Sequence, residues 1–150
     1  MGSEPAEHGR FRDYMHALSH VSDAGERSLI CAVLADPDRV MADSVIIAHL
    51  DRRAAALGDG DAFTSWSVQL AGILHARVLP ERRLREWSLV KDIACGRSWN
   101  VADLVEASDW VQRHLAEHTR SRPALTLLAA QGRTRRIRNT AHARLEQRTA

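Results

Sequence analysis

Residues 29–50 read LICAVLADPDRVMADSVIIAHL. Two apolar runs flank Asp36-Pro37-Asp38, and this punctuation decides how the chain is read. Proline lacks an N–H and has a fixed φ, so it suits the first turn of a helix and disrupts a helix interior. An Asp cap at position 36 followed by Pro37 is therefore expected to stop one helix near Ala35 and start another, over about residues 37–57. At 100° per residue, Val40, Ile47, Leu50, Ala54 and Leu57 share one side of that second helix. Met41, Val45 and Ala48 cover much of another side, so the helix is expected to lie buried between neighbours.

The same helical period recurs on both sides of this stretch, and no segment alternates with the period of two that a half-buried strand needs. Residues 1–9 carry Gly, Ser, Pro and charges and read as a flexible N-terminus. A first helix over about 11–20 carries Phe11, Tyr14, Met15 and Leu18, and Ser22 caps a second over 23–35. Gly58-Asp59-Gly60-Asp61 is a break before a fourth helix, 62–77, with Trp66, Leu70, Ile73 and Leu74 at helical spacing. Pro80 opens a fifth, 81–95, with Leu84, Trp87, Val90 and Ala94 inward and Gly96 as its stop. Asn100, Ser108 and Thr134 are further N-caps, Pro123 opens the eighth helix and Gly132 ends it. Nine helices with short connections predict an all-α fold, a compact stack of antiparallel helix pairs. Residues 10–150 are expected to form one helical domain with an Arg-rich C-terminal helix pair.

The chain has 150 residues, 45% hydrophobic and 27% charged, which suits a folded domain with its own core. Two cysteines, Cys31 and Cys95, are too few for a disulfide scaffold or a structural zinc site. Both fall on apolar helical faces and are expected to be buried and inert. No apolar run approaches the ~20 residues of a membrane span, and no signal pattern marks the first residues. The expectation is a cytoplasmic protein with no membrane partner. The net charge of +2 hides a split. Residues 120–150 hold eight arginines and a single acid, Glu146; the remainder holds 13 bases against 18 acids. Such polarity favours an oriented encounter with an acidic surface, or pairing of one copy's tail with another copy's body.

Residues 29–50 resemble a HEAT-type helical repeat: an apolar helix, an Asp-Pro-Asp turn, then Val and small residues at helical spacing. In residues 125–145, Leu127, Leu128, Gly132, Ile137, Arg138, Ala141 and Leu145 fall at similar relative positions, with Ile-Arg in place of the family's Val-Arg. The first segment departs from the pattern in carrying Met41 where the Arg would stand. The two segments cover under a third of the chain, and the middle matches only as helix pairs. The resemblance implies a curved helical scaffold that binds a protein or nucleic-acid partner and is not itself a catalyst. An irregular helical bundle with the same spacing is the other reading.

Residues that carry chemistry are sparse. His16 and His20, like His114 and His118, stand four apart, which places two imidazoles on one helical face. Neither pair has the Glu of a metalloprotease motif or an evident third ligand, so both read as surface histidines and no metal site is assigned. Asp51 reads as a structural acid paired with an Arg, or as a perturbed acid in a cleft, and His49 has the same two readings. Trp66, Trp87 and Trp110 read as core; Trp99, in a connection, reads as a surface contact. No phosphate-cradling glycine loop, nucleophile elbow or cofactor signature is present, so neither catalytic residue nor cofactor is expected.

These features predict an adaptor or regulatory module whose surface of Arg133, Arg135, Arg136, Arg138 and Trp99 contacts a protein partner with an acidic face. Homo-oligomers fit the same charge pattern. A DNA-binding alternative reads residues 101–115 as a helix-turn-helix. Gln112, Arg113 and His114 would then face the major groove, with Arg135 and Arg136 on phosphates.

Overall fold

A computed structural model of the chain describes residues 6–150, which are helical and turn throughout, with no strand among them. The elements are α1 (Ala6–His20), α2 (Asp23–Leu34), α3 (Arg39–Ala56), α4 (Asp61–Leu74) and α5 (Val78–Ala94). They continue with α6 (Val101–Val105), α7 (Asp109–His118), α8 (Arg122–Gln131) and α9 (Arg135–Gln147). Of the segment expected to be a flexible N-terminus, residues 1–5 lie outside the described residues and residues 6–9 form the first turn of α1. Within the span expected as one domain, contacts cluster into two compact units, one ending at Leu84 and one running from Arg85 to Ala150.

In the first unit α1, α2 and α3 pack against one another. The buried residues of α3 come as Met41 and Ala42, Val45 and Ile46, His49 and Leu50, then Ala54. That i, i+1, i+4, i+5 rhythm marks a single broad face. The expectation that α3 lies buried between neighbours, with Val40 and Ile47 on one inward side and Ala48 on another, is therefore corrected: Val40 is 79% exposed, and Ile47 and Ala48 are half-buried. Each large side chain that this face encloses stabilises the unit by about 1.5–3 kcal/mol relative to exposure.

The Asp-Pro-Asp turn works differently from the sequence reading. Asp38, not Asp36, caps α3, its carboxylate accepting from the Met41 N–H at 3.0 Å. The Asp36 carboxylate instead accepts from the Asp38 N–H at 2.9 Å and from the Tyr14 hydroxyl at 2.9 Å, and pairs with Arg10 at 3.2 Å. The Asp38 amide, with Tyr14 and Arg10, holds the Asp36 carboxyl below the usual range against the effect of burial. Donation to Asp36 raises the Tyr14 phenol. One carboxylate thus ties α1 to the start of α3.

Arg77, 6% exposed, ties down the other end of this unit. Its guanidinium donates to Asp43 at 2.8 Å, to the Leu34 carbonyl at 3.1 Å and to the Arg39 carbonyl at 3.0 Å. The Leu34 carbonyl is one that the end of α2 leaves without an intrahelical partner. Helix α5 starts at Val78, so Pro80 falls in its first turn, where a missing N–H costs no hydrogen bond.

In the second unit α8 packs on α9 and on α6, and α7 packs on both α8 and α9. Leu104, Val111, Leu115, Leu125, Leu128 and Ile137 are buried between them. Gly96 ends α5 with φ +69°; its N–H reaches Ile93 and the Arg97 N–H reaches Asp92, the paired bonds of a left-handed C-cap. Gly132 is required for space: a Cβ there would lie 2.6 Å from the Leu128 carbonyl oxygen and 2.7 Å from Ile137 Cγ2.

Candidate functional site

The Arg-rich segment divides into arginines that hold the fold and arginines that do not. Thr134 caps α9, its hydroxyl accepting from the Ile137 N–H at 3.2 Å. Just before the cap, the Arg133 N–H donates to Gln112 Oε1 at 2.8 Å, and its guanidinium donates to the Ala107 carbonyl at 3.1 Å and pairs with Asp109 at 3.2 Å. Arg138 donates to the Gly132 carbonyl at 2.7 Å and Arg144 to the Ala116 carbonyl at 3.1 Å. Arg148 donates to the Arg120 carbonyl. These carbonyls lie at or beyond the ends of α6, α7 and α8, where the last helical turn leaves acceptors unpaired.

Arg135 and Arg136 are different. Both are exposed on the first turn of α9, and, like the exposed Arg120 and Arg122 near the start of α8, neither has a side-chain hydrogen-bond or ion-pair partner among the described residues. A cation at a helix N-terminus faces the positive end of the helix dipole, an unfavourable placement of about 0.3–1 kcal/mol that an external anion would reverse. The expected four-arginine surface therefore reduces to this pair, flanked by Arg133 and Arg138 with their donors partly committed inward.

Trp99 is half-buried and lines a cleft of about 820 Å3 in the second unit. Arg85, Leu89 and Asp92 contribute from α5, and Asn100, Val101 and Asp103 from the start of α6. No arginine of α9 lines it, so the expected partner-binding residues do not share one cleft.

The helix-turn-helix reading needed Gln112, Arg113 and His114 to face outward. Arg113 does, but Gln112 is fully buried, and this expectation is corrected. Its amide Nε2 donates to the Leu104 carbonyl at 2.8 Å and the Val105 carbonyl at 3.0 Å, while Oε1 accepts from Arg133. One amide thus joins α6, α7 and the α8–α9 turn. His114 is half-buried, stacked on Trp110 at 5.2 Å between ring centroids and edge-on to Trp87 at 5.1 Å.

No protein-family model, curated protein or solved structure matches this chain.

The titratable groups of the first unit form a structural network. His49 is fully buried. An arginine only donates, so the 2.9 Å contact from Arg52 Nη2 makes His49 Nδ1 the acceptor. Nε2–H then donates to Glu26 Oε1 at 2.7 Å. The same carboxylate accepts from the Trp66 indole at 3.1 Å and from Arg53 Nε at 3.3 Å. Burial opposes ionisation of Glu26, but hydrogen bonds from His49 and Trp66 and the Arg53 charge outweigh it and hold the carboxyl below its ordinary value. Asp51 is half-buried and pairs with Arg83 at 2.7 Å, while His49 opens on no cleft.

Glu26 and Arg77 were not singled out from the sequence. The signal for Glu26 was its position, four and seven residues before the buried Ile30 and Val33 on one helical stripe. Cys31 and Cys95 are exposed, contrary to the expectation of burial. Among the described residues no three His, Cys, Asp or Glu side chains converge as a metal site, and no helix is long and apolar enough to cross a membrane.

Proposed function

We propose that this chain is a helical adaptor module that binds an acidic partner protein through the first turn of α9. The observation that carries this reading is the adjacent pair Arg135 and Arg136, exposed on one helix turn and without partners among the described residues, where Arg133, Arg138, Arg144 and Arg148 are partly used up on backbone carbonyls. Arg120 and Arg122 are also exposed, but they are not adjacent to each other or to this pair in sequence. Two planar guanidiniums can each take a carboxylate bidentately, and the neighbouring helix terminus adds to the positive potential. The HEAT-like segments support a scaffold role, since residues 29–50 fall on α2 and α3 and residues 125–145 on α8 and α9, each a pair of packed helices. A cytoplasmic setting and a partner that is either a foreign protein or a second copy belong to the same proposal.

The test is charge reversal. Proteins recovered from native lysate on the wild-type chain are identified, purified and titrated against the wild type and Arg135→Glu/Arg136→Glu. The variant is expected to keep its helical circular dichroism and melting temperature and to bind at least roughly tenfold more weakly, the scale of losing two charge-assisted contacts. Unchanged affinity would remove α9 from the interface. Recovery of nucleic acid in place of protein, seen as a raised 260/280 nm ratio that high salt abolishes, would overturn the class of partner.

A further inference from the structure

The last turn of α1 carries His16 and His20, both exposed, with ring centroids 4.4 Å apart and an interplanar angle of 41°. Spacing alone places two imidazoles together; the structure adds which nitrogen of His20 is free. His20 Nδ1 lies 2.9 Å from the His16 carbonyl oxygen, which can only accept. Nδ1 therefore carries the hydrogen of the neutral ring. Ser19 agrees with this assignment, because its hydroxyl is donated to the same carbonyl at 2.7 Å and leaves Oγ to accept from His20 Nδ1 at 2.9 Å. The lone pair of His20 is then on Nε2, on an exposed ring. A metal-ligating histidine is held in the same way, with its other N–H donated to a backbone carbonyl, which sets tautomer and ring orientation. No hydrogen bond or ion pair engages the His16 ring among the described residues, so it is able to turn either nitrogen to a ligand.

The separation fits a chelate. With metal–nitrogen bonds of about 2.0 Å, two imidazoles at right angles around one metal have centroids about 4.4 Å apart, and about 5 Å at a tetrahedral angle. The pair also ends its helix, where unpaired carbonyls carry partial negative charge and favour a cation. From these observations we infer that His16 and His20 form a two-imidazole site for a divalent first-row transition metal. Nitrogen ligands and the usual affinity order place Cu2+ first, above Ni2+ and Zn2+. Among the described residues no third His, Cys, Asp or Glu completes a group, so water takes the remaining positions and the metal is exchangeable. The α7 pair is not equivalent: His118 makes the same back-bond to the His114 carbonyl, but the His114 ring is half-buried and stacked on Trp110.

The experiment is a titration of the full chain with Cu2+, followed by calorimetry and by electron paramagnetic resonance. The wild type is expected to take up Cu2+ with two nitrogen couplings in the spectrum. His16→Gln and His20→Gln are each expected to weaken uptake by at least roughly tenfold, the scale on which even outer-shell changes act at metal sites. His114→Gln/His118→Gln is expected to leave this uptake intact. Equal uptake by the wild type and His16→Gln/His20→Gln would overturn the site, as would a spectrum with fewer than two nitrogens. Should the variants lose helicity, Zn2+-induced chemical-shift changes in the wild-type chain decide instead: changes at His16 and His20 support the site, and changes only elsewhere overturn it.

Discussion

Glu26 is where a single residue does most for the first unit. Its carboxylate receives hydrogen bonds from His49, Trp66 and Arg53, drawn from α3 and α4 onto α2. Those bonds hold the folded carboxyl below its ordinary value even though burial works in the other direction. A carboxyl whose folded value is depressed binds fewer protons in the native state than in the unfolded one, so stability rises with pH across that interval. The contribution is complete above the ordinary carboxylate value of 4.5 and is lost as the pH falls through the lowered folded value. Glu26→Gln is expected to cost about 1–3 kcal/mol near neutral pH, the scale of a disrupted buried hydrogen-bonding group. It should also flatten the acid limb of stability against pH, measured by urea unfolding from neutral to acid conditions. Parallel acid limbs for the variant and the wild type would show that Glu26 is not the group that titrates.

Helix ends, more than helix middles, organise the elements. Asp38, Ser22, Asn100, Ser108 and Thr134 cap their helices from the N-terminal side with side-chain oxygens. The C-terminal ends are served from a distance, by Arg77 for α2 and by Arg144 for α7, since each guanidinium reaches across a neighbour to a carbonyl. The α8–α9 turn is tightly closed, and Gly132 there leaves no room for a methyl group. Gly132→Ala is expected to destabilise the chain by about 1–3 kcal/mol through overpacking, because the crowding atoms include a backbone oxygen that cannot rotate away. The measurement is the denaturant midpoint, which should fall at an unchanged slope. An unaltered midpoint would mean that the turn opens freely, and the α8–α9 register would then need another explanation.

Across the whole chain, the charge split of the sequence survives folding only in part, because several of the eight arginines in residues 120–150 are bonded to carbonyls. The exposed remainder, the Arg135–Arg136 pair with Arg120 and Arg122, is subject to screening over a distance of about 10 Å at 0.1 M salt. Affinity for an acidic partner is therefore expected to fall steadily with ionic strength in titrations, while the melting temperature changes little. Salt-independent affinity would place the contact on an apolar surface instead. The sequence by itself determined the all-α class and most helix starts, because 3.6-residue periodicity and N-capping oxygens are local and a few neighbouring residues suffice to specify them. It also marked Arg135 and Arg136, though not which arginines beside them were free. Three things were decided by tertiary structure alone: Asp36 gave up the α3 cap to bind Tyr14 and Arg10, Gln112 turned inward, and α3 exposed Val40. In each case the deciding partner lies far along the chain or on another helix. Whether a polar or apolar side chain is buried depends on what packs against it, and a helical wheel does not contain that information.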